Sequence, residues 1–186
     1  MAHCSIIAAR CHWLKEKIIL AKSEKAKDST TNNLVVEIPD ADVSAFNLVL
    51  EYLYTDKIDF SPSSSSKPAT TAALAFSNEV VLNTMRVYTL ALSFHLNLLE
   101  RLSVRYLETS VNLSNVLFAL TNASALKLQP IKEYCLRFIV KENNYKQIVM
   151  SEDFESLAQP LMIEVIRRRE QFQSKDGIGK YLRTKG

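Results

Sequence analysis

Glycine is nearly missing from this sequence: in 186 residues there are three, Gly177, Gly179 and Gly186, all within the last ten. A phosphate-cradling loop, a dinucleotide fingerprint or a nucleophile elbow needs glycine for a tight turn or for close backbone approach. The first 176 residues can therefore build none of them. Cysteine is scarce and odd in number, with Cys4, Cys11 and Cys135 alone, which argues against a disulfide framework and for a reducing, intracellular setting. No apolar run approaches the roughly 18 residues that suggest a membrane span. The opening residues also lack the charged start, apolar stretch and small-residue cleavage site of a secretory signal. A large charge excess is missing as well. The formal charge is +3, its basic residues are spread over Lys15–Lys27, Arg167–Arg169 and the last few positions, and they read as solvated surface with no nucleic-acid partner.

What is present is helical periodicity over a 47% hydrophobic composition. Ile6, Ile7, Trp13, Leu14, Ile18 and Ile19 predict one or two amphipathic helices over residues 5–22. In "LVVEIPD", Leu34, Val36 and Ile38 alternate with Val35 and Glu37 before Pro39, the one good strand pattern in the chain. "SAFNLVLEYLY" predicts a helix with Phe46, Val49, Leu50 and Leu53 on one face, capped by Ser44 or Asp42. "TDKIDF" reads as a turn with a short strand, and Ser61 to Ser77 as a loop that is a spacer or a phosphorylation target. Helices then follow one another. Val81, Met85, Tyr88 and Leu92 mark one buried stripe, and Leu96, Leu99, Leu102 and Tyr106 the next. Asn112 or Ser114 would cap a third helix that buries Val116, Leu117, Leu120 and Ala123. Gln129-Pro130 opens a helix with Ile131, Cys135, Phe138 and Ile139 inward, proline being suited to a first turn where its missing N–H has no partner to lose. Pro160 opens another with Met162, Val165 and Ile166 inward and its arginines near a C-terminal end, where they complement the helix dipole. Gln171 to Gly186 reads as a frayed tail.

The stretch "AHCSIIAARCHWL" pairs His3-Cys4 with Cys11-His12 and so raises the question of zinc. Seven residues on one helix put the two thiols about 10.5 Å apart along the axis, whereas thiolates sharing a zinc at about 2.3 Å sit roughly 4 Å from each other. The intervening "SIIAAR" has no turn-forming residue, so the stretch reads as a helix start with a small buried cysteine. A thiol nucleophile, Cys135 or Cys11 with His95 or His12, is set against the position of Cys135 on an apolar stripe. No enzyme site, metal or cofactor is expected.

Taken together, "AHCSIIAARCHWL", the short strand, "FNLVLEYLYTDKIDF" and two leucine-rich helices resemble a BTB/POZ domain, with His3, Ala8-Ala9-Arg10 and Tyr52-Leu53-Tyr54-Thr55 as the characteristic pieces. "VNLSNVLFALTNASALKLQPIKEYCLRFIVKENN" and "SEDFESLAQPLMIEVIRRR" resemble the helical BACK domain that often follows it. In register, "YTDKI", "YTLALSFHLNLLERL" and "KEYCLRFIVKE" resemble the first BTB–BACK unit of a kelch-BTB-BACK protein.

The resemblance implies a mainly α fold with a small β component. It divides into a BTB/POZ domain over 1–109 that lacks its first strand and carries a Ser-rich insertion at 61–78, a BACK domain over 110–170 and a flexible tail over 171–186. It implies a non-catalytic adaptor of a cullin-3 ubiquitin ligase that promotes ubiquitylation of Ras-family GTPases held by an upstream kelch domain; the alternative is a corepressor-recruiting module in transcription. The setting would be cytoplasmic, with Golgi or other endomembrane association of the full-length protein but no membrane insertion. Tyr54, Asp56, Lys57, Asp59, Ser77, Glu79, His95 and Asn97 are the cullin-binding candidates, and Ile7, Trp13 and Leu14 the candidates for a homodimer interface. The family's hydrophobic-x-Glu cullin motif aligns with Ser77-Asn78-Glu79, where serine stands in place of the hydrophobe.

Overall fold

The computed structural model describes residues 3–25, 34–39, 41–61 and 70–183, with the side chains of 25, 70–77 and 175–183 left aside. Ten helices run through them: α1 (Cys4–Arg10), α2 (His12–Lys25), α3 (Val43–Thr55), α4 (Thr70–Ser93), α5 (Asn97–Ser110), α6 (Val116–Ala125), α7 (Gln129–Ile139), α8 (Glu142–Val149), α9 (Glu152–Glu155) and α10 (Gln159–Arg183). They fall into two compact units, Met1–Lys67 with Glu79–Leu107, and Pro68–Asn78 with Glu108–Gly186.

In the first unit α1 packs on α2 and α3. The opening stretch is two helices because Cys11 takes an extended conformation, φ −136°, between them. Ile7, Cys11 and Leu14 then turn into a core shared with Val49, Leu53, Val87, Ala91, Phe94 and Leu99. Burying a side chain of this size is worth about 1.5–3 kcal/mol. Trp13 stacks on Phe94 with ring centroids 4.7 Å apart, and Phe46 meets the same ring edge-on. Leu34, Val36 and Ile38 pack against this core as their alternation predicts. They form no strand, however, because a β ladder needs a second strand to exchange N–H and C=O bonds, and the described residues contain none. The same holds for the strand expected in "TDKIDF".

In the second unit α6 buries Val116, Leu117, Ala119, Leu120 and Ala123, and α7 buries Ile131, Cys135, Leu136 and Ile139. Charged contacts join α7 to α10: Lys132 Nζ lies 2.7 Å from Glu164, and Arg168 pairs with Glu133. Arg169 donates to the Val140 carbonyl at 2.6 Å, satisfying a carbonyl that the end of α7 leaves open. Buried Asn115 ties the turn before α6, accepting from the Asn112 N–H at 2.8 Å and donating to the Ser110 carbonyl at 3.0 Å.

Several expectations are corrected. The loop assigned to Ser61–Ser77 ends earlier, since α4 begins at Thr70; "TTAALAF" holds no glycine or proline and two of the best helix formers. Its remaining part, 62–69, lies outside the described residues. Leu92 is 40% exposed and does not continue the buried stripe of α4. Asn115, not Asn112 or Ser114, sits at the N-cap position of α6, because Asn112 spends its oxygen on the Ser114 N–H inside the preceding turn. Ile166 is 44% exposed, and Leu161 takes the inward place beside Val165. The tail is not frayed from Gln171: α10 continues to Arg183, so the arginines lie mid-helix and bond across to α7 instead of complementing a helix end.

Candidate protein-docking site

Asp42 organises the site. One of its oxygens accepts the Ala45 N–H at 3.1 Å as the N-cap of α3, and the other accepts the Arg86 guanidinium of α4 at 2.9 Å. The inward face of α3 carries Ala45, Val49, Tyr52 and Leu53. Its other face is left to line a groove of about 860 Å³, whose opposite walls are the stretch Asp59–Ser61 and the part of α4 bearing Glu79, Val80 and Asn83.

Four carboxylates line the groove, Asp42, Glu51, Asp59 and Glu79, together with four apolar side chains, Val43, Leu48, Phe60 and Val80; among the described residues none of its lining is a lysine, arginine, histidine or cysteine. Phe60 is buried and packs its ring 4.7 Å from that of Tyr106. Val43, by contrast, is 76% exposed at the first position of α3. Asp59 is held ionised below the ordinary aspartate range by the Ser61 hydroxyl and then by the Ser61 N–H, both donating to its carboxylate. An apolar floor under a polar rim suits docking of another chain. Its described titratable groups are dispersed carboxylates.

The predicted residues do not form one site. Asp59 and Glu79 line the groove. Tyr54 and Asp56 lie at the far end of α3 and fasten α1: the Tyr54 hydroxyl accepts the His3 N–H at 2.5 Å, and Arg10 forks onto Asp56. Lys57 is exposed, with its backbone folded around the Thr55 hydroxyl. His95 is exposed in a left-handed conformation, φ 56°, between α4 and α5, and Asn97 begins α5. Ser77 lies in α4, its side chain outside those described. Ile7 and Leu14 are buried in the first unit, and half-buried Trp13 stacks on Phe94. Sequence reasoning missed Val43, Leu48 and Glu51, and read Asp42 only as a helix cap. Val43 had a legible signal, an apolar residue at a helix start and off the inward stripe.

Two of the three thiols, Cys11 and Cys135, are buried. Burial pushes Cys135 up to about 12 and also raises Cys11, whose Sγ lies 3.8 Å from the Phe94 carbonyl. Among the described residues no group of three His, Cys, Asp or Glu is placed to hold a metal, and no helix is long and apolar enough to cross a membrane.

Comparison with known proteins gives this geometry a family. The chain is 36% identical to Leucine-zipper-like transcriptional regulator 1 of Mus musculus and 35% identical to that of Homo sapiens, each over 91% of this chain and 21% of the relative. It is 30% identical to the Drosophila melanogaster homolog over 91% of this chain and 18% of that protein. The chain thus spans about a fifth of the length of these relatives. A family profile for the BTB/POZ domain matches residues 1–110, which hold α1 to α5 and the groove between α3 and α4. This chain belongs to the BTB/POZ family.

Proposed function

We propose that this chain is the non-catalytic adaptor module of a cullin-3 ubiquitin ligase and that cullin-3 docks in the acidic groove between α3 and α4. The observation that carries the reading is Val43, a large apolar side chain 76% exposed on a groove whose neighbouring floor is already apolar. Exposed apolar surface rimmed by polar groups is the usual mark of a protein partner. The four carboxylates among the described lining residues, with no lysine, arginine or histidine beside them there, direct the groove toward a cationic or apolar segment of that partner. Within this reading the second unit acts as a BACK domain over 110–170, Ras-family GTPases are recruited through a kelch domain encoded elsewhere, and a second copy of the chain associates through the BTB domain. The setting is cytoplasmic.

A second reading rests on the name of the relatives: as transcriptional regulators, they favour a module that recruits corepressors. The same groove would serve.

Calorimetric titration with the cullin-3 N-terminal region tests the choice. Binding at micromolar affinity or tighter is expected, and Val43→Asp, at an exposed position that folding does not need, should weaken it at least about tenfold. Tyr54→Ala is the contrasting variant: it loosens the fastening of α1 and lies away from the groove. A larger loss from Tyr54→Ala than from Val43→Asp would move the site to the other end of α3, and no heat from the folded chain would favour the corepressor reading.

A further inference from the structure

Asp59, Phe60 and Ser61 form one wall of the groove. Phe60 is buried, whereas Asp59 and Ser61 are exposed. A single carboxylate oxygen organises this turn: Asp59 Oδ1 accepts the Ser61 N–H at 2.9 Å and also the Ser61 hydroxyl. In sequence Ser61 is followed directly by Pro62 and then by four serines, Ser63 to Ser66. A solvent-exposed serine before a proline, set on the rim of a docking groove, is placed for modification.

We propose that Ser61 is the phosphoacceptor of a proline-directed protein kinase and that its phosphate closes the groove to the docking partner. This regulation rests on the docking role given to the groove above. The kinase would carry the γ-phosphoryl group of MgATP to Ser61 Oγ. The new P–O bond forms as the bond to the bridging oxygen of ADP breaks, the hydroxyl proton passes to the kinase's catalytic base, and ADP leaves.

The product carries about −1.5 to −2 charges at neutral pH. Ser61 then no longer donates a hydroxyl hydrogen to Asp59; a dianion faces a carboxylate where a hydrogen bond stood. Glu51, Glu79 and Asp42 line the same groove, and among the described residues its lining gives the phosphate no cation. Among the described residues only Asp42 of these four has an ion-pair partner, Arg86, and that guanidinium is already engaged. Repulsion opens the Asp59–Ser61 turn that positions the wall, and docking must then strip water from a phosphate as well as from carboxylates.

The test is to treat the 186-residue chain with a proline-directed kinase and MgATP, locate the phosphate by mass spectrometry, and titrate modified and unmodified chain with the cullin-3 N-terminal region. Phosphate on Ser61, lost in Ser61→Ala, with binding at least about tenfold weaker and restored by phosphatase, is the expected result. Phosphate confined to Ser63–Ser66, or binding unchanged or tighter after modification at Ser61, overturns the proposal. If the unmodified chain fails to bind cullin-3, the docking partner is wrong, and a phosphorus NMR titration decides the proposal alone. A second phosphate pKa raised above the usual value of about 6 supports closure by like charge, and an unshifted one overturns it.

Discussion

Among the described residues three helix ends use a left-handed residue, at Asp56, His95 and Lys127, positions where glycine is the usual choice. The near-absence of glycine that excludes whole classes of enzyme thus has a structural counterpart: turns are made with residues that carry a Cβ. The thiols show the same link between residue environment and function. Cys4 is half-buried with no helix covering it completely, whereas Cys11 and Cys135 are buried, and Cys135 is pushed up to about 12 by desolvation. Because the thiolate is the reactive form, the native chain should react with a disulfide reagent at neutral pH on Cys4 alone, and all three thiols should react only after unfolding. Mass spectrometry of the labelled chain reads this directly; fast labelling of Cys135 in the native state would contradict the burial and reopen the nucleophile reading. The burial of Cys135 was legible in its place on an apolar stripe. The roles of Tyr54 and Asp56 were not, since their partners, His3 and Arg10, lie 51 and 46 residues away in sequence.

Among the elements, α3 was the most legible. Its apolar spacing put Val49 and Leu53 on the buried face, where Ala45 and Tyr52 join them and the expected Phe46 and Leu50 are only partly buried; Asp42 was one of two caps expected, and the structure selects it through the 3.1 Å bond from Ala45. The far end of α3 is held by the fork of Arg10 onto Asp56, which draws the Asp56 carboxyl below the ordinary aspartate range through the side-chain hydrogen bond from Arg10. A carboxylate whose pKa is lower in the folded state stabilises the fold above its unfolded value of about 4 and loses that contribution as pH falls through the folded value. Unfolding followed from pH 7 to pH 2 should therefore show wild type losing stability below about pH 4 more steeply than Asp56→Asn, the difference vanishing at the acid end. Equal slopes would mean that the fork does not hold α1 to α3 in solution. The start of α4 and the length of α10 were less legible. In both, weakly patterned residues, small ones at the start of α4 and polar ones at the end of α10, continue a helix whose other end is strongly patterned, and propagation adds a hydrogen bond for each residue without needing an apolar stripe.

For the whole molecule, composition and periodicity pointed to a helical protein with no catalytic apparatus, and the BTB/POZ match over residues 1–110 agrees with the motifs that suggested it. The expected β component did not emerge from the described residues, because the alternation in Leu34–Ile38 reports burial of one face and not the presence of a strand beside it. The groove was only half legible for a related reason. Asp59 and Glu79 belong to recognisable motifs, but the residues that complete the walls are brought together by the packing of α3 beside α4, which no local pattern encodes.

The most direct measurement is backbone amide exchange of this chain, alone and with the cullin-3 N-terminal region bound. The docking account predicts added protection concentrated in residues 43–51, 59–61 and 79–83, the three walls of the groove. Protection centred on His3, Arg10 and Tyr54, or on α6 to α10, would contradict it.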